Sequence, residues 1–479
     1  MNQVLSYDEM LKSGGYPGTA DQRVEDLIKA LSTTNSGPGG IQSGPLMLQN
    51  LDPVMTEVLQ TEKHLKLYNL LTKVPSAQPY YEYNVHKGFG AGRGAIGFRQ
   101  GGAPTGGIST FKREGIYNKF LGRQGGVTHQ MLITGQNGGA FEDPNVRENR
   151  DRTLELLVRL DRELVHGSKS ILDENGEEVH FDGLLAAMLS VLPANVIDKQ
   201  GAALTYDDLD DTSEDLVTNG KQASVDGYNC IMSPHVSKGL NLQYQSRNII
   251  RENKGDGKRA ADFVPGFKVP AYDGQFGTIE FDHSILLQEV DGAAPNAAAA
   301  AGAPASPAIT TQPTAGTDAT VHIPANTYYY SVAAFNDTDE SLPTITNAVA
   351  VIDGKDVTIV VTRVSNATGY RIYRGLLADG SDHRWIAKVA QPASGNLTFV
   401  DDGSWRTVDA NGKPSDGLAI IVKPDPKDIC IAQMTPLVKM PLPQVGTTYP
   451  FLLLLYIVLV AKAPQRIRIY KNCGQYTPA

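Results

Sequence analysis

The segment 87–110 (KGFGAGRGAIGFRQGGAPTGGIST) holds a spacing with chemical precedent, because Gly92, Gly94 and Gly97 stand as G-x-G-x-x-G. Such glycines cradle a pyrophosphate when a strand precedes them and a helix begins at the third, so that backbone amides face the anion. Residues 98–104 (FRQGGAP) instead continue as glycine-rich loop. Nucleotide binding is therefore not expected, and no cofactor is. What the segment and its flanks do carry is positive charge: Lys87, Arg93, Arg99, Lys112 and Arg113. Five cations on a long loop between strands suit docking against an acidic neighbour; the plainer reading is a solvated loop.

Other reactive residue types lack the spacing that chemistry needs. The nine histidines form no HExxH pair, no serine occupies a GxSxG elbow, and no carboxylates follow a calcium-loop pattern. His166 is expected to face the dipole at a helix C-terminus. The acidic run 207–211 (DDLDD) reads as a solvated helix start. Cys230, Cys430 and Cys473 are far apart and odd in number, which suits neither a zinc site nor a disulfide framework and fits a reducing compartment. Asn336, Asn366 and Asn396 begin N-x-[ST] tripeptides, with no signal peptide to expose them to glycosylation. No catalytic constellation emerges, so a non-enzymatic protein is expected.

The elements that position these residues follow from composition and period. With 479 residues, 41% of them hydrophobic and 20% charged, the chain can bury sizeable cores, and its length points to roughly two to four domains. Its 43 basic and 52 acidic residues give a net charge of −9, the wrong sign for a protein that coats nucleic acid through its overall field. Residues 1–50 combine a short helical candidate at 22–31 (QRVEDLIKAL) with a Gly/Ser/Pro stretch, and read as an arm. Helical spacing over 51–71 stops at Pro75 and Pro79, a strand follows at 80–85 (YYEYNV), and residues 111–131 supply its returning partner, giving an extended hairpin over 80–131.

Asp143-Pro144 is a strong helix start and Gly167 a strong stop. Between them Leu154, Leu157, Leu160 and Leu164 share a face, and Asp143/Arg147, Glu148/Arg152 and Glu155/Arg159 are spaced i, i+4. The rod would be about 36 Å long. Strands are expected at 229–232 and 278–281, in mixed sequence running to 290. Residues 291–318, rich in Ala, Pro, Gly and Thr, read as a linker; 319–408 contain short β-rich runs at sandwich spacing; 409–426 read as a second boundary. The apolar run 451–461 (FLLLLYIVLVA) is about half the roughly 20 residues that a membrane helix needs, and reads as a buried strand continuing toward 466–470 (RIRIY).

Phe181-Asp182-Gly183-Leu184 after the charged helix, and the run 434–470 (MTPLVKMPLPQVGTTYPFLLLLYIVLVAKAPQRIRIY), resemble the major capsid proteins of tailed bacteriophages, especially large contractile-tailed phages whose capsid proteins carry an immunoglobulin-like insertion. The resemblance covers nearly everything after Leu51, and the C-terminal run is its most specific part. It implies an α+β fold: N-terminal arm (1–50), peripheral domain (51–180) with extended loop (80–131) and spine helix (143–167), axial domain (181–290), linker (291–318), inserted sandwich (319–408), and return to the capsid core (409–479). It further implies a structural protein that self-assembles, as hexamers and pentamers, into an icosahedral shell enclosing double-stranded DNA. Scaffolding, portal and decoration proteins are the implied partners, no membrane is involved, and assembly takes place in the host cytoplasm. The insertion is similar to immunoglobulin-like and fibronectin type III sandwiches through 327–335 (TYYYSVAAF) and 369–374 (GYRIYR), in an order opposite to the common one. The rival reading is a carbohydrate-binding adhesin using Tyr328, Tyr329, Tyr330 and Trp385.

Overall fold

The computed structural model describes residues 61–90, 98–103, 107–136, 142–173, 176–247, 269–287, 302–315, 323–337, 339–352, 355–409, 412–444 and 446–476. The expected arm, the start of the helical pattern after Leu51 and all three glycines of the G-x-G-x-x-G spacing lie outside them. The fold is α+β. Its strongest local signal is the helix Pro144–His166, where the Asp143 carboxylate accepts from the Asn145 amide at 2.9 Å and Gly167 ends the helix. The buried stripe is Leu156, Leu160 and Leu164, whereas Leu154 and Leu157 of the expected face are only half-buried. Leucines at 154, 156, 157, 160 and 164 make two overlapping stripes, and packing on a sheet selects one. Each fully buried leucine contributes about 2 kcal/mol relative to exposure. Glu148/Arg152 and Glu155/Arg159 pair as spaced, at 2.8 and 3.0 Å, while Arg147 reaches forward to Asp151 at 3.0 Å.

Among the described residues that sheet has the order Lys73–Pro75, Ile429–Pro441, Thr448–Ala461, Lys119–Thr128. The apolar run is therefore a central strand, and no described helix is long and apolar enough to cross a membrane. Along it Phe451, Leu453, Leu455 and Ile457 are buried and join one cluster with Leu156, Leu160 and Leu164. The strand does not continue into 466–470 as expected. A 3-10 turn at Pro464–Arg466 interrupts it, and Arg468–Cys473 enters a different, six-stranded sheet. That sheet runs Val196–Asp198, Arg468–Cys473, Gly417–Val422, Tyr228–Met232, Gly277–His283, Ala271–Gly274. Both strand expectations at 229–232 and 278–281 fall within it. The acidic run opens the helix Tyr206–Thr218, with Thr205 and Asp208 forming a capping box and Lys199 pairing with Asp208 at 2.9 Å.

Two boundaries differ from the sequence expectation. Residues 309–315 of the presumed linker form a sandwich strand, Ile309–Ala315, paired with Lys355–Val361. Gly417–Val422, within the presumed second boundary, is buried at every residue in the middle of the six-stranded sheet. Between them stands a two-sheet sandwich with its own core. One sheet is built on Asn326–Phe335 and Gly369–Gly375, antiparallel from Tyr329 opposite Gly375 to Phe335 opposite Gly369; the other is Leu397–Asp401, Lys355–Val361 and Ile309–Ala315. Tyr330, Val332, Ile359, Tyr370 and Ile372 fill the space between.

Candidate assembly surface

The hairpin pairs Tyr80–Gly88 with Thr110–Tyr117, in a register that sets Tyr80 opposite Tyr117 and Val85 opposite Lys112. The returning segment is two strands rather than one running to 131. At the break Asn118 is buried, its side-chain amide donating to the Ser76 hydroxyl at 3.1 Å and the Gln78 carbonyl at 3.0 Å. Lys119–Thr128 then joins the four-stranded sheet, and His129–Gln136 is helical.

The five cations fare differently from one another. Arg93 lies outside the described residues. Lys87 and Arg99 are exposed, and the Arg99 carbonyl accepts from the Gly102 amide at 2.9 Å in a turn. Lys112 sits 2.5 Å from Glu114, and Arg113 donates to the Asn84 side chain at 3.2 Å and lies 3.8 Å from Glu82. The hydrogen bond from Lys112 holds the Glu114 carboxyl below its ordinary range. Lys112 and Arg113 thus have acidic partners on the hairpin itself, which leaves Lys87 and Arg99 as the cations turned outward among those described.

Sequence reasoning passed over the aromatic residues around these charges. His86 stacks on Phe111 with centroids 4.7 Å apart and meets Phe89 edge-on at 5.3 Å; Tyr80 and Tyr117 meet at 4.6 Å at the base. Phe89 is 81% exposed, Phe111 71% and Ile108 85%. Rings this open bury little against the described residues, and clusters of exposed apolar side chains mark interaction surfaces. A strand-alternation count would have found them, since His86 and Phe111 are register partners.

A second apolar surface lies on the four-stranded sheet, opposite the long helix. Cross-strand partners share a face, so Phe120 with Tyr456, Gly122 with Leu454 and Gln124 with Leu452 form rows there, extended by Val438 opposite Leu454 and Met440 opposite Leu452. Phe120 meets Tyr456 edge-on at 4.8 Å. Phe120 and Met440 are exposed, and Leu452, Leu454 and Tyr456 half-buried. The same strand thus buries its alternate residues on the helix and leaves an apolar outer face.

The other chemical candidates resolve into packing. His166 does not simply face the helix dipole: it is buried, within hydrogen-bonding distance of the Leu287 carbonyl at 2.6 Å, and packed against Trp385 and Trp405. Ser331 and His383 are hydrogen-bonded, but both are buried completely. The three cysteines are free and buried; burial raises the Cys230 thiol to about 12. The aromatic platform of the adhesin reading does not form, because Tyr328 and Tyr330 belong to the sandwich core and Trp385 packs on His166.

A family model described as SU10 major capsid protein matches residues 103–318. A protein of Enterococcus phage phiEF24C, assigned as its major capsid protein, is 23% identical over 466 residues, covering 94% of each chain. Both similarities are to major capsid proteins of phages. The chain is also similar to solved phage structures: Gordonia phage Cozz, at 11% identity and TM-score 0.40 over 92% of this chain and 98% of that one, and the capsid of Myoviridae phage XM1, at 11% and 0.40 over 91% and 100%.

Proposed function

We propose that the hairpin is the extended loop of this capsid subunit and that it lies across the outer face of the four-stranded sheet of the next copy, in an icosahedral shell of hexamers and pentamers closed around double-stranded DNA. The observation that carries the reading is the pair of apolar surfaces left open among the described residues of one chain: a two-stranded ribbon with exposed rings, and the outer face of a four-stranded sheet. A contact between two different patches of identical copies repeats around a ring, and closure multiplies weak individual contacts. Lys87, Arg93 and Arg99, with Lys112 and Arg113 at the stem, would steer the approach to an acidic neighbour.

In this reading Pro144–His166 is the spine helix of the peripheral domain, and the six-stranded sheet with its helices is the axial domain. The sandwich is an immunoglobulin-like insertion facing outward, where it meets solvent or decoration proteins rather than crowding packaged DNA. Scaffolding and portal proteins are the further partners, assembly takes place in the host cytoplasm, and the subunit has no catalytic role.

Replacing residues 89–109 by a short Gly/Ser turn tests the assignment. Circular dichroism should remain that of a folded chain, while sedimentation and electron microscopy should find no stable shells. Normal shells from the shortened chain would overturn it.

A further inference from the structure

We infer that the inserted sandwich is a brace built into the capsid core, holding the C-terminal end of the long helix against the last strand, and not a module hung on flexible connections. The inference concerns the folding of one chain and does not depend on where the hairpin docks.

Three joints support it. At the first, Lys388 of the sandwich lies 2.9 Å from Glu163 of the long helix, with the lysine side chain only 5% exposed. An ion pair so screened from water has few alternative geometries. At the second, the His166 ring, one helical turn on, meets Trp385 at 4.9 Å, and Trp385 meets Trp405 at 5.2 Å. Trp405, itself only partly buried, packs against both the sandwich core and the core of the long helix and four-stranded sheet, so it bridges the two apolar clusters.

The third joint is polar. The Asn472 side chain accepts from the Arg406 amide at 2.9 Å and donates to the Ser404 carbonyl at 2.8 Å, while Lys471 donates to the same carbonyl at 3.0 Å. Asn472 is fully buried and has φ of 56°, a left-handed conformation that asparagine tolerates better than most residues. Its backbone is thereby shaped for these contacts. Beyond the joint, Arg384 pairs with Asp416 at 3.1 Å, immediately before the strand Gly417–Val422 that re-enters the six-stranded sheet. The chain is gripped where it returns to the core.

Helix end and last strand thus meet through the sandwich, although Glu163 and Lys388 are separated by 225 positions. Without the sandwich, Glu163, His166 and Asn472 would each lose a contact in a largely buried setting, where an unpaired polar group is destabilising.

Native-state hydrogen exchange on the full chain tests the brace, with Trp405→Ala, Lys388→Glu, and the charge swap Lys388→Glu/Glu163→Lys. The expected result is exchange faster by about tenfold or more in Trp405→Ala and Lys388→Glu at the amides of residues 163–167 and 468–473, outside the sandwich. The swap should recover part of the protection at 163–167. A smaller change at those amides in both single variants, or a sandwich that melts in a transition of its own while they stay protected, overturns the proposal. Shell formation is not the readout, so a failed hairpin assignment leaves this test intact.

Discussion

Gly167 and Gly183 meet backbone to backbone: the Gly183 amide donates to the Gly167 carbonyl at 2.8 Å, joining the end of the long helix to the start of the next, Leu184–Val191. A Cβ on Gly183 would stand 2.5 Å from the Gly167 nitrogen and 2.7 Å from the Glu163 carbonyl oxygen; one on Gly167 would stand 2.5 Å from that oxygen and 2.6 Å from the Phe181 carbonyl oxygen. Each obstructing atom belongs to backbone, which cannot swing aside as a side-chain tip can.

Gly183→Ala should therefore destabilise the chain by about 3 kcal/mol, through displacement of the helix end rather than lost burial. Chemical denaturation checks this. Gly176→Ala is the control for a general effect of glycine replacement: its φ of 83° carries some strain, but no atom lies within 4 Å of the added carbon.

Asp161 should give stability a distinct pH dependence. Its side chain is buried beneath the Leu65–Leu71 segment, and burial raises its pKa to about 6, although the Tyr68 amide donates to it at 2.7 Å. The folded state then binds more protons than the unfolded one between about pH 4 and 6, so this stabilisation is complete below pH 4 and lost as pH rises through 6. Asp161→Asn keeps an acceptor for Tyr68 without the charge. It should be more stable than the parent by about 2 kcal/mol at pH 7, with the difference vanishing near pH 4. Urea midpoints for both chains across that window check the sign.

Charge and ring contributions to the hairpin contact should separate by salt. Reversing Arg93 and Arg99 to Glu should weaken assembly most at low ionic strength, with salt narrowing the gap to the parent, because screening at 0.1 M acts over about 10 Å. Phe89→Ser with Phe111→Ser should produce a defect that salt does not relieve. Light scattering at two salt concentrations distinguishes them, and a charge-reversal defect equal at both would assign Arg93 and Arg99 to steric packing.

Inside the sandwich, Arg374 and Asp401 are paired at 2% and 3% side-chain exposure, with the Tyr330 hydroxyl donating to the same carboxylate and Arg374 donating also to the Trp405 carbonyl. Arg374→Ala should cost about 3–5 kcal/mol because Asp401 is left buried and uncompensated. Arg374→Met with Asp401→Leu should cost less than that single change, which thermal denaturation of the two variants can establish.

Much of this fold is local and so legible along the chain. The Asp143-Pro144 start and Gly167 stop of the long helix are signals carried within a few residues of the bond they make, and the run 451–461 is about half the length of a membrane helix and reads as a strand. The family resemblance likewise rested on contiguous stretches, Phe181–Leu184 and residues 434–470. Tertiary packing decided what local periodicity leaves degenerate. Two leucine stripes were open to the long helix until the strand Thr448–Ala461 selected the one through Leu156, and the returning hairpin strand ended at Asn118 because Ser76 and Gln78 were there to bind it. Trp405 carries no sequence signal for its place between two cores, since the residues that meet it come from 166, 385 and 471. Contacts between residues so distant in sequence depend on loop closure and on the shape of both surfaces, and neither is encoded in the neighbours of any one residue.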